Sequence, residues 1–97
     1  MFIRQVIIFE DVEEKLWRKH HVEDFEVRDV FANHPHIVFR EKGMTVEGEN
    51  LYSALGRTSA GRYLIVFFIY KLTQNALIVT AREMNKSERK YYAKVKR

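Results

Sequence analysis

The chain has 97 residues, 46% of them hydrophobic and 31% charged, with a formal net charge of +4 and no cysteine. That length sets a single domain, residues 1–97, which buries roughly two thirds of its unfolded surface in one core. The lack of cysteine excludes disulfides and thiolate metal sites and fits a reducing compartment such as the cytoplasm. The longest apolar run, Tyr63 to Tyr70, is far below the ~20 residues that span a bilayer, so no membrane contact is expected.

The opening stretch MFIRQVIIFEDVEEK holds only a short apolar run, closed by Glu10 and Asp11 before a signal-peptide core could form. Within it, Ile3 to Phe9 reads as a first strand. Asp11 followed by Glu14 has the spacing of a capping box, and Val12, Leu16 and His20 recur at helical spacing, which predicts a helix from Val12 to His20. Val27, Val30 and Phe31 predict a second helix over Asp24 to Ala32, ended by Asn33-His34-Pro35. His36 to Arg40 reads as a strand. Glu41 to Asn50, with Gly43 and Gly48, reads as a mobile loop.

Three strands follow, Leu51 to Arg57, Arg62 to Lys71 and Ala76 to Arg82, and then a basic helix over Lys86 to Lys94. The unbroken apolar run of the middle strand marks it as covered on both faces. The order β-α-α-β-β-β-β-α is that of an α+β domain with a mainly antiparallel sheet packed against helices. An open edge on the first or third strand would offer self-association as a structural role.

Charge is unevenly spread. Residues 1–50 carry 7 Lys+Arg against 11 Asp+Glu, and residues 51–97 carry 10 against 2. A segregated basic half is the electrostatic footprint of a polyanion partner, or simply a solubilising tail. If Thr58-Ser59-Ala60-Gly61 is a four-residue hairpin loop, Arg57 opposes Arg62 on the face of Leu55 and Leu64. Like charges so placed ask for an anion between them, or else splay apart in water. An even loop through Thr73-Gln74-Asn75 puts Arg82 on the face of Tyr63 and Ile65; an odd loop or one β-bulge brings all three arginines together.

Neither a glycine-rich phosphate loop nor a serine elbow is present. His20 and His21 diverge around a helix, and His34 and His36 alternate as in a strand without a second pair of ligands, so no metal site is expected. The remaining chemistry-bearing residues are Lys19, His20, Arg57, Arg62, Arg82, Glu83, Glu88, Arg89, Tyr91 and Tyr92. They suit RNA, which brings its own nucleophile, the 2′-hydroxyl. A protein then needs only to orient the phosphate, move protons and stabilise charge. The competing readings are a surface salt bridge for Glu88 and packing of the last helix for one of the two tyrosines.

Three segments resemble the BrnT family of toxins: Lys19-His20-His21-Val22 with Glu26, Val27, Val30 and Phe31; Leu55-Gly56-Arg57-Thr58 with Gly61-Arg62-Tyr63-Leu64; and Thr80-Ala81-Arg82 with Glu88-Arg89 and Tyr92. The resemblance implies a RelE-like fold and a cytoplasmic ribonuclease of a type II toxin-antitoxin system that inhibits translation without a metal or other cofactor. It implies an RNA substrate and a cognate ribbon-helix-helix antitoxin (BrnA-like) through which alone operator DNA is bound. Its catalytic positions fall on Lys19, His20, Arg57, Arg62, Arg82, Glu88 and Tyr92; RNA contacts are expected from Arg57, Arg62, Arg82 and Arg89, with Lys86 of the basic last helix beside them. Where the family often has Thr or Ser before Pro at the second helix, this chain has Glu23-Asp24, a weaker cap by ~1 kcal/mol unless Asp24 caps from one residue later. A non-catalytic module that holds an acidic partner or nucleic acid is the alternative.

Overall fold

Tyr63–Tyr70 lies at the middle of a five-stranded sheet in the structure, a computed structural model that describes residues 1–96. The elements run β1 (Gln5–Ile7), α1 (Glu10–His20), α2 (Asp24–Ala32), β2 (His36–Glu41), β3 (Leu51–Arg57), β4 (Tyr63–Tyr70), β5 (Asn75–Glu83) and α3 (Lys86–Val95). Across the sheet the order is β1-β5-β4-β3-β2. Strands β2 to β5 pair antiparallel, while β1 joins β5 in parallel through only three residue pairs and is shorter than its apolar run predicts. The edges are therefore β1 and β2, and the third strand, expected at an edge, is interior.

Alternation along β4 explains why its apolar run is unbroken. Leu64, Val66 and Phe68 point to one face, where Leu16, Val22, Val27 and Val30 of the α1–α2 layer complete the larger core. Ile65 and Phe67 point to the other face and join Leu55, Val38 and Tyr63 under Met84 and Tyr92. The strand is thus roofed by two helices on one side and by a single helix on the other. Gly56 lets α2 sit close on the first face: a Cβ there would lie 3.1 Å from Val30 Cγ1.

Local details depart from expectation at three places. Helix α1 begins at Glu10, after Phe9, and Asp11 falls inside its first turn with Glu10 and Glu13. The expected box does not form; the carboxylates favour the helix start through its dipole instead. His21 closes α1 in the left-handed region at φ 53°, with the His21 and Val22 amides donating back to Trp17 O and Leu16 O. At α2 the Glu26 carboxylate accepts the Glu23 amide at 3.0 Å, which offsets part of the weak cap. The segment read as a mobile loop is tied at its end, where Glu49 accepts from Lys71 Nζ at 2.7 Å and from the Leu72 amide at 3.0 Å. A Cβ on Gly43 would come 1.9 Å from Glu49 O, so only glycine fits that close approach.

Candidate active site

The β3–β4 connection decides which arginines meet. Strand pairing sets Arg57 opposite Tyr63, not opposite Arg62, so the connection is Thr58–Arg62 rather than the expected four residues. The Thr58 side chain causes the extra residue: its Oγ1 accepts the Arg62 amide at 3.0 Å, while Gly61, at φ 96°, donates to Thr58 O at 2.9 Å. One added residue reverses the face. Arg57 shares the α3 face with Tyr63, Ile65 and Leu55, and Arg62 turns toward α1 and α2.

There Arg62 meets a ring of acceptors. Its guanidinium donates to both oxygens of Glu26 at 3.0 and 3.2 Å, to Glu83 at 3.0 Å, and to the carbonyls of His20 and His21 at 3.3 and 2.8 Å. Burial works against the cation, but the hydrogen bonds to Glu83 and Glu26 outweigh it and raise the pKa. The anion that this arginine asked for is supplied by the protein.

Arg82 joins Arg57. A β-bulge lies between the Phe67–Thr80 and Phe68–Ile78 pairs, with Val79 the extra residue, and it sets Arg82 opposite Ile65 on the α3 face. Its guanidinium holds Glu88 in a two-pronged pair at 2.8 and 2.9 Å. Glu88 also accepts the Asn85 amide at 2.9 Å, and Asn85 accepts the Glu88 amide in return, so one carboxylate both caps α3 and anchors it to β5. The Arg82 hydrogen bond holds the Glu88 carboxyl below its ordinary range, and the same bond raises Arg82. Glu88 is ionised at neutral pH.

Around this pair the face is cationic and aromatic. Arg57 and Arg89 lie 4.6 and 4.0 Å from the Tyr63 ring centroid, and Arg40 and Arg82 each lie 5.9 Å from that of Phe67. Arg40 was missed in the sequence although it alternates with Val38; what brings it in is the pairing of Val38 with Ser53, whose Oγ accepts from Arg40 Nε at 2.7 Å. Tyr92 is 8% exposed and packs on Leu55 and Ile65, and burial raises its pKa. Its neighbour Tyr91 is exposed, with its hydroxyl 2.9 Å from His36 Nε2.

Two clefts flank α3. Gly61, Arg62, Tyr63, Glu83, Met84 and Arg89 line one; Val38, Arg40, Leu55, Ser87, Glu88 and Tyr91 line the other. The structure therefore brings Arg57, Arg82, Glu88, Arg89 and Tyr92 to one face, with Lys86 exposed on the first turn of α3. Lys19 and His20 sit at the end of α1 in the opposite layer, where the His20 carbonyl touches Arg62. Among the described residues, no group of three or more His, Asp or Glu is placed to hold a metal ion.

Comparison with known proteins adds one finding. Residues 10–88, from α1 into α3, match a family model described as "Ribonuclease toxin, BrnT, of type II toxin-antitoxin system". A search of curated proteins returns no match.

Proposed function

The chain belongs to the BrnT family of ribonuclease toxins of type II toxin-antitoxin systems, and from that premise we propose that it is a metal-independent endoribonuclease whose working surface is the α3 face of the sheet. The observation that carries this reading is the gathering of Arg40, Arg57, Arg82 and Arg89 around Tyr63 and Phe67, beside the ionised Glu88. Guanidinium groups match phosphate oxygens and stay charged, and half-buried aromatic rings beside them offer bases an edge to stack on. Arg57 and Arg82, with Arg40 and Arg89, hold the backbone and stabilise charge on the scissile phosphate. Glu88 takes the proton of the 2′-hydroxyl.

Lys19 and His20 flank the hairpin end from the other layer, and Lys19 there and Lys86 on α3 extend the cationic track for RNA outside the reacting phosphate. Arg62 supports the turn that presents Arg57. Cutting RNA in the cytoplasm stops translation, and the antitoxin that neutralises the protein is a ribbon-helix-helix partner through which operator DNA is reached.

Purified protein incubated with RNA and a chelator is expected to cut it, and Arg82→Ala to lower the rate ~10²-fold or more. Intact RNA at high protein concentration would sink the cleavage reading. A second reading, a module that binds without turnover, draws on the two-pronged hold of Arg82 on Glu88, which commits both carboxylate oxygens. Salt-sensitive RNA binding with no cleavage by the parent protein would establish it.

A further inference from the structure

Resting on the endoribonuclease reading, we propose that the Tyr91 hydroxyl, backed by the His36 imidazole, is the proton donor to the leaving 5′-oxygen. Transesterification needs a second proton-transfer group besides the base. Glu88 is ionised and has no proton to give, Tyr92 is buried against Leu55 and Ile65, and Lys19 and His20 lie in the other layer. Tyr91 lines the same cleft as Glu88 and Arg40.

Helical spacing places the two groups together. Glu88 and Tyr91 are three residues apart on α3, so they are neighbours on one helix face with Cβ atoms ~5–6 Å apart. Arg40 closes the cleft from β2, and Leu55 forms its floor. His36 sits opposite Leu55 on β2, and its Nε2 is 2.9 Å from the Tyr91 hydroxyl with the rings edge-on at 5.6 Å. When the imidazole is protonated, Nε2–H donates to the Tyr91 oxygen, which leaves the phenolic O–H to point at substrate. The charged and titratable groups around the pair are Arg40 on β2, Arg57 two residues beyond Leu55 on β3, Glu88 on α3, and Lys96, whose ammonium donates to His34 O at 2.6 Å.

In the step itself the 2′-oxygen bonds to phosphorus and gives its proton to Glu88, while the bond from phosphorus to the 5′-oxygen breaks. Tyr91 protonates the departing oxygen and recovers its proton from His36. The products are a 2′,3′-cyclic phosphate and a free 5′-hydroxyl; Glu88 then releases its proton to solvent and His36 takes one up, so no co-reactant is consumed. Tyr91 is the catalytic residue here, and His36 acts through it as a positioning and proton-supplying residue.

The test compares the parent protein with Tyr91→Phe, His36→Gln and, as a folding and background control, His34→Asn on an RNA whose cleavage position has been mapped. Tyr91→Phe is expected to lower kcat ~10²-fold with KM nearly unchanged. His36→Gln is expected to lower kcat less, because the glutamine amide can still hold the Tyr91 hydroxyl but has no proton to pass on to it. A second substrate carries sulfur in place of the bridging 5′-oxygen, so that the leaving thiolate needs no proton; on it Tyr91→Phe and the parent should cut at the same rate. Full activity of Tyr91→Phe on ordinary RNA, or a loss that persists on the sulfur substrate, overturns the assignment while the endoribonuclease reading stands. A parent protein that cuts neither substrate overturns both.

Discussion

The two faces of the sheet answer the same charge in opposite ways. On the helical face, Arg62 is enclosed by Glu26, Glu83 and two α1 carbonyls, and every donor direction it offers toward the protein is used. On the α3 face, Arg57 is exposed; it donates to Gly61 O at 3.3 Å, and it lies with Arg89 against Tyr63. Two arginines five positions apart in the chain thus do different work: one ties layers together, and the other leaves its charge facing solvent. Of these two, Arg57 reads as the binding group, because the protein has not already supplied its anion.

The largest expected effect follows from this contrast. Arg62→Ala would leave the Glu26 carboxylate, 14% exposed, and the His20 and His21 carbonyls without their donor. Losing one member of such a partly buried cluster costs about 2–4 kcal/mol, and thermal or denaturant unfolding reads it directly. Arg57→Ala should stay within about 1 kcal/mol of the parent, since surface substitutions away from caps and cores do little. The reverse ranking would break the division between a structural and a functional arginine.

Much of this architecture is legible in the residues, and the failures have a common cause. The apolar run of β4, the spacing of Val27 and Val30, and the order of elements all report local pattern, which is why the α+β sheet could be read. Which face Arg62 takes depends on a threonine hydroxyl and a positive-φ glycine that add one residue to a turn, a detail no periodicity carries. The partner of Arg62 is 36 residues away, and that of Tyr91 is 55 away, so both sites exist only after the sheet is assembled. Arg82 shows the intermediate case: a five-residue connection and the bulge at Val79 offset one another, so Arg82 takes the face of Tyr63 and Ile65 as an even loop would have it, and Arg57 meets it there only because its own turn gained a residue. Tyr92 reads as a candidate proton donor in sequence and as a packing residue in the fold, because adjacent positions on a helix point to different sides.

A smaller effect sharpens the comparison through salt. If the α3 face binds the RNA backbone, each phosphate contact removed should reduce the slope of log affinity against log salt by ~0.7 for a single strand. Arg57→Ala and Arg89→Ala should each flatten the slope, whereas a folded Arg62→Met, whose charge is already neutralised within the protein, should leave it unchanged. Equal flattening by all three would mean that the RNA reaches around the hairpin to both faces.

The smallest effect concerns the tie between α3 and β5. Glu88 has a folded-state pKa below its unfolded value because Arg82 hydrogen-bonds its charged form. A depressed carboxyl stabilises the fold fully above its unfolded pKa of about 4.3, and that contribution is lost as pH falls through the folded value. The Arg82 side chain is 36% exposed, so solvent screening limits the pair to below about 1 kcal/mol. Glu88→Gln preserves an oxygen to accept the Asn85 amide but removes the charge, which separates the ion pair from the cap. At neutral pH the variant should therefore unfold at slightly lower temperature than the parent, and the gap should close as the medium is acidified below the ordinary carboxylate range. Thermal midpoints measured at a series of pH values test this. A gap that stays constant into strong acid would mean that the loss does not come from the charge, and α3 would then be held to the sheet by Tyr92 and Met84 rather than by the Arg82–Glu88 pair.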